Sequence, residues 1–341
     1  VHRYELQEAF GNYKGTGITI HGNYLYASSD VAVYRYELSP DQLLPVNPEG
    51  EVMIEGFPEQ QTHASKSLAV DPAGHMFVTV GAPSNACQEE SRTKGSPGID
   101  PCPQLELQAG VWRFDLDKMG QKQGDGMRYA TGIRNIVGLD WNANTNGLFV
   151  MQHGRDQLSG LWPDYYTDEE SALLPSEELL QVDEGDDFGW PYCYYDQFKD
   201  QKMLAPEYGG DSEKTGRCEG IEKPVQAFPG HMAPNDLLFY TASSFPERFH
   251  QGAFIAFHGS WNRAPEPQGG YFVAFVPMKD GQVTGEWKPF AEGFPGIEVV
   301  KSPRDAEYRP MGLALTPKGD LLVADSRKGR IWRIYHTGDV Q

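Results

Sequence analysis

Apolar and polar residues alternate along this chain in short runs, and the runs come in pairs separated by turns rich in Gly, Pro or Asn. Gly17-Ile18-Thr19-Ile20-His21-Gly22-Asn23-Tyr24-Leu25-Tyr26, followed by Val33-Tyr34-Arg35-Tyr36, is the first such unit. Ser67-Leu68-Ala69-Val70 leads through Asp71-Pro72-Ala73-Gly74 into His75-Met76-Phe77-Val78, and Gly138–Trp141 leads into Gly147–Val150. Asp236–Tyr240 with Gly252–Phe257 is a stretched version, and Gly312–Leu315, Leu321–Val323 and Arg330–Ile334 form the last. Alternation with period two predicts strands, and the turns predict antiparallel hairpins, often with a third strand behind them.

Repeats of irregular spacing fit the blades of a propeller better than a solenoid, because insertions between blades become loops on one face. Five copies are visible, and a six-bladed, all-β propeller forming one domain over 1–341 is the expected architecture. The inserts fall at about 83–108, 155–230 and 263–270, each after a blade-like strand, which predicts that they cluster at one mouth of the channel. Within the acidic stretch 163–187, Ser176-Glu177-Glu178-Leu179-Leu180 predicts a short capped helix.

Composition supports the all-β reading: of 341 residues, 12% are aromatic, 38 are Gly and 25 are Pro. The net charge of −19 repels phosphate backbones and argues against nucleic acid as a partner. No run approaches the length of a membrane-spanning helix, so no membrane partner is expected. Val1-His2-Arg3-Tyr4 has neither an initiator Met nor a signal-peptide pattern, which predicts a soluble part of a longer precursor. The cysteines at 87, 102, 193 and 218 form two close couples. Disulfides Cys87–Cys102 and Cys193–Cys218 are expected, and with them secretion to an extracellular, oxidising compartment. A Zn site is the alternative, although the couples lack the tight ligand spacing such a site uses.

His63 stands just ahead of the strand 67–70, Arg134-Asn135 ahead of the third repeat and Arg309 ahead of the last. Polar residues at equivalent repeat positions point to a common axis, so these side chains should converge, with Arg263 beside them. Converging cations in an acidic chain call for an anionic ligand. Phe188-Gly189-Trp190-Pro191 is a constrained turn whose carbonyls suit a hard cation.

Arg134-Asn135-Ile136-Val137-Gly138-Leu139, Phe188-Gly189-Trp190-Pro191, Phe257-His258-Gly259-Ser260-Trp261-Asn262-Arg263 and Tyr308-Arg309-Pro310 resemble, in order, motifs of the quinoprotein glucose and sorbosone dehydrogenases. The likeness is strongest to the catalytic part of the fungal secreted pyranose dehydrogenases. It implies a six-bladed propeller that binds pyrroloquinoline quinone at the channel mouth and oxidises the anomeric carbon of a pyranose, passing electrons to a haem or cytochrome acceptor. It also implies His63 as general base and Arg134 as stabiliser of the quinone oxygen. Asn135, Arg263, Arg309, Trp261, Asn262 and Lys66 would hold the cofactor, and the carbonyls of Gly189 and Pro191 would hold Ca²⁺. His231 and His258 are candidate substrate contacts, and Trp162, Tyr165, Tyr166 and Trp261 candidate aromatic walls.

Two departures stand out. Ala82 follows Gly81 where the glucose dehydrogenases place an Asp that orients the base, and Glu307-Tyr308-Arg309 stands where they have two arginines flanking a Tyr. A calcium-dependent propeller lactonase or a non-catalytic binding propeller are the competing readings. The first would need carboxylate and Asn ligands converging on the ion.

Overall fold

The computed structural model describes residues 17–338 apart from Leu43. Five blade sheets follow one another along the chain, antiparallel from an innermost strand outward, and Gln121–Lys122 and Asp186–Asp187 add a parallel outer strand to the first and second. The first is Ile18–His21, Tyr24–Ser28, Val33–Glu37 and Glu51–Glu55; the second is Leu68–Val70, His75–Val80, Gly110–Asp115 and Met127–Thr131. The third is Ile136–Asn142, Gly147–Gln152, Glu177–Val182 and Gln226–Phe228; the fourth is Pro234–Phe239, Ala253–Phe257, Phe272–Val276 and Lys288–Ala291. The fifth has three described strands, Pro310–Leu315, Leu321–Asp325 and Ile331–Ile334.

The second strand of each middle blade is buried on both faces, and this is why its sequence reads as a continuous apolar run. In His75–Val80, Met76 and Val78 pack with Trp112 of the same blade toward Met53 and Ile54 of the first, whereas Phe77 turns to the third with Leu148 and Val150. Phe149 and Met151 then meet Ile255 and Phe257 of the fourth blade, and Phe254 meets Leu321 and Val323 of the fifth. Four seams are closed in this way. Among the described residues no such packing joins the fifth blade to the first: Ile18, Ile20 and Ile331 are 63%, 64% and 69% exposed, and the innermost strands line a cavity of about 790 Å³ that reaches Leu322 and Ile331.

The expected count of six blades is therefore corrected to five among the described residues. The sequence carries five hairpin repeats, and the sixth blade rests on the family resemblance alone. The predicted helix at 176–180 is also corrected: these residues lead into the strand Glu177–Val182. Both acidic side chains are buried there, Glu177 accepting from Gly154 N–H and Ala233 N–H and Glu178 pairing with Lys202. The capped helix of this stretch lies earlier, at Asp168–Leu173, where Thr167 and Glu170 close a capping box. The expected insert 155–230 likewise contains two blade strands, so it is two inserts. Cys87–Cys102 and Cys193–Cys218 are both bonded, each within one insert.

Candidate active site at the channel mouth

The loops that lead into the innermost strands and those that leave the second strands lie on one face. His63 lies on the first kind, in left-handed backbone with φ 54. Its Nδ1 is 2.6 Å from the Ala82 carbonyl, so Nδ1–H donates and Nε2 keeps its lone pair. A main-chain carbonyl thus orients the ring where the resemblance would have an Asp. Ala82 N–H in turn donates to the Arg134 carbonyl at 2.7 Å, tying the base to the entrance of the third blade. Gly81 is needed for this approach: a Cβ there would meet His63 Cβ at 2.6 Å and Asn135 Oδ1 at 2.9 Å. Burial, then the Arg134 charge, lowers the His63 pKa to about 3, so the imidazole is neutral at ordinary pH.

Arg134 is 3% exposed. Its Nε donates to the Asn85 carbonyl, Nη1 to the Gly154 carbonyl, and Nη2 to Asn85 Oδ1 and Asp156 Oδ2. Asn135 presents its carbonyl to His153 N–H, while its Oδ1 is buried without a partner. On the fourth blade, Asn262 Nδ2 donates to Asp156 Oδ1 at 2.8 Å, and Asn262 Oδ1 is likewise unpartnered. Arg309 crosses to that blade, donating from Nε to the His258 carbonyl and from Nη2 to the Gly259 carbonyl over the Tyr271 ring. Arg263 Nε is buried with no partner.

The other candidates divide. His258 reaches the mouth, with Nε2 2.8 Å from Ser326 Oγ and its pKa lowered to about 4 by burial and Arg309. His231 is buried, its Nε2 against the Ser171 and Leu174 carbonyls and its Nδ1 3.8 Å from Asp156, so it fastens an insert and does not face a ligand. Lys66 is buried, its ammonium bonded to the Ala64 carbonyl; burial lowers its pKa to about 8, and Asp30 acts in the opposite sense. Trp162 and Tyr166 are fixed in an insert by Glu207 and Tyr194, whereas Tyr165 and Trp261 are exposed. The Gly189 carbonyl accepts from Cys193 N–H, and Trp190 props up the site from beneath by donating from Nε1 to the Asn85 carbonyl.

Asn85, Arg92, His153 and Asp156 were not singled out from the sequence. His153-Gly154-Arg155-Asp156 follows its strand as His258-Gly259-Ser260-Trp261-Asn262 follows its own, and this internal parallel is the signal that could have found two of them. His153 is neutral as well: burial and Arg134 outweigh the Pro234 carbonyl on its Nε2 and lower its pKa to about 4.

The TrAA12-like family matches residues 6–337 of this chain. The chain belongs to that family. The pyrroloquinoline quinone-dependent pyranose dehydrogenase of Coprinopsis cinerea is 27% identical over 280 residues, which span 70% of this chain and 36% of that protein. An uncharacterized protein of Borreliella burgdorferi is 27% identical over 61% of this chain and 48% of its own length. The chain thus spans less than half the length of either curated relative. Among solved structures, the calcium structure of Trichoderma reesei carbohydrate-active enzymes family AA12 has a TM-score of 0.73 at 18% identity, over 92% of this chain and 79% of that one. The holo form of the pyranose dehydrogenase PQQ domain from Coprinopsis cinerea has a TM-score of 0.69 at 19% identity, over 94% and 81%. At these identities the likeness to solved structures speaks for the fold.

Proposed function

We propose that this TrAA12-like chain is the sugar-oxidising part of a pyrroloquinoline-quinone-dependent pyranose dehydrogenase. The carrying observation is His63: a neutral imidazole held by the Ala82 carbonyl, its Nε2 lone pair left free, next to Arg134 and Asn135. The residues present fit the cofactor, for it brings carboxylates and carbonyls, and Arg263 Nε and Asn135 Oδ1 are buried polar atoms without partners. Arg263 and Arg309 would hold its carboxylates, and Asn135 and Asn262 would fix its edge, with Trp261 beside it. When bound, the quinone accepts the hydride from the sugar's C1 carbon. His63 takes the proton of the anomeric hydroxyl, and the last free N–H of Arg134 is the donor for developing negative charge.

Lys66, whose ammonium spends one of its three N–H groups on the Ala64 carbonyl, rests as a cofactor contact on the resemblance. Calcium, with the Gly189 and Pro191 carbonyls as its ligands, rests on the resemblance; the Gly189 carbonyl accepts from Cys193 N–H and keeps its second lone pair, and no step is drawn through the ion. Secretion rests on the two disulfides, and a haem or cytochrome acceptor on the resemblance. Among the described residues no group of three His, Cys, Asp or Glu side chains is set to hold a metal.

The test is to incubate the protein with pyrroloquinoline quinone, with and without Ca²⁺, and to follow dye reduction across a panel of aldoses. Cofactor binding and oxidation of at least one pyranose are expected. A chain that binds no quinone under any of these conditions is not this enzyme.

A further inference from the structure

Asp156 plays no part in the chemistry just described, yet the loops of three blades meet on it. Its Oδ2 accepts from Arg134 Nη2 at 3.0 Å and Arg92 Nη2 at 2.8 Å, and its Oδ1 accepts from Asn262 Nδ2 at 2.8 Å. Its own N–H donates to Asn85 Oδ1, which is also bonded to Arg134 Nη2. Burial alone would raise the Asp156 pKa, but Arg134, His231 and Arg92 outweigh it and hold the carboxyl ionised, well below the usual range.

A guanidinium has five N–H donors in a rigid plane. Asn85 takes two of those of Arg134, Gly154 one and Asp156 one, which leaves a single Nη1–H. A side chain so restrained cannot swing to meet a ligand, and its one remaining donor points where the frame sends it. The carboxylate is the charged member of that frame, and without it Arg134 would be a buried cation with neutral partners only.

We propose that Asp156 is a positioning residue for Arg134: it fixes the guanidinium plane so that the last N–H is aimed at the reacting oxygen, and it also ties Asn262 of the fourth blade to the same point. The proposal rests on the sugar-oxidising reading above.

The test is a double-mutant cycle on the quinone-loaded protein. Asp156→Asn keeps size and one acceptor oxygen but removes the charge. It is expected to lower kcat about a hundred-fold, as a small misplacement of a catalytic group does, with the KM for sugar within about three-fold. In an Arg134→Gln background the same substitution is expected to change kcat less than about two-fold, because a residue acting through Arg134 has nothing left to position. Full additivity of the two losses, or a kcat for Asp156→Asn close to wild type, would overturn the proposal. Should Asp156→Asn fail to fold, Asn85→Ala, which removes an acceptor from the same Nη2, carries the same expectations. A second arm needs no cofactor: in ¹⁵N-arginine-labelled apo-protein the Arg134 Nε–H should exchange slowly with solvent, and at least about ten-fold faster in Asp156→Asn. Unchanged exchange would overturn the positioning role. A wild type that oxidises no sugar would instead sink the functional reading and leave the exchange result to decide the geometry.

Discussion

His63 combines an unusual backbone with an ordinary hydrogen bond. Its left-handed φ turns the ring back onto the Ala82 carbonyl, and that bond fixes which nitrogen keeps the lone pair. His63→Ala should bind pyrroloquinoline quinone within a few-fold of wild type and lose about a hundred- to ten-thousand-fold in kcat, the range typical of a general base. Arg309→Ala should instead weaken cofactor affinity at near-normal kcat under saturation, measured by titrating quinone into both variants. Because burial and Arg134 hold the His63 pKa at about 3 against 6.5, the base stays unprotonated as pH falls through 6.5. The kcat/KM profile should therefore show no inflection from His63 between pH 8 and 5. An inflection near 6.5 that disappears in the His63 variant would show that the ring is less buried in solution. Position within the repeat made His63, Arg134 and Arg309 legible in the sequence. Asp156 carried only the internal parallel with the run from His258, since an Asp in an acidic chain bears no local mark of the three cationic or polar groups that fold onto it.

At the level of elements, the inserts are part of the site's frame. Residues 83–108 supply Asn85 and Arg92 to Asp156, and the Cys87–Cys102 bond lies two residues beyond Asn85. Replacing both cysteines by serine should cost about 3 kcal/mol of stability, the loop-closure value for a bridge of this span, and should also lower kcat, by loosening Asn85. Denaturant unfolding and steady-state kinetics on one preparation check this. Unchanged kcat at reduced stability would mean that Trp190, Arg134 and Asp156 hold Asn85 without the bridge. The disulfide pairs were readable from spacing because short loops close most readily. The strand Glu177–Val182 was not readable, because its two buried carboxylates find their partners in residues far along the chain. Local rules treat such residues as helix starters or solvated loop.

Over the whole molecule, the seams carry buried acids as well as apolar side chains. Asp140 of the third blade accepts from Phe239 N–H of the fourth, and Asp236 of the fourth accepts from Leu313 N–H of the fifth, at the bulge between Pro310 and Leu313. Burial raises the Asp236 pKa to about 7 from 3.8, and Asp140 adds to the rise. A raised carboxyl disfavours its charged form in the folded state, so the cost is absent below about pH 4, grows as pH rises and is complete above about pH 7. Asp236→Asn should accordingly gain stability relative to wild type across that window, by at most about 1.4 kcal/mol per pH unit. Denaturant midpoints at pH 5 and pH 8 measure this. A difference that shrinks toward pH 8 would contradict the sign.

The sequence by itself determined the hairpin repeats, the all-β class, the two disulfides and the mouth residues that recur at repeat positions. Each of these is written in local period, spacing or turn chemistry. Only the packing of distant parts of the chain decided that the described residues form five blades, that Ala82 lends its carbonyl to the base, that His231 is buried against the Ser171 and Leu174 carbonyls, and that Asp156 gathers the loops of three blades. These outcomes depend on which residues distant in the chain come within hydrogen-bond reach, and no local pattern encodes that.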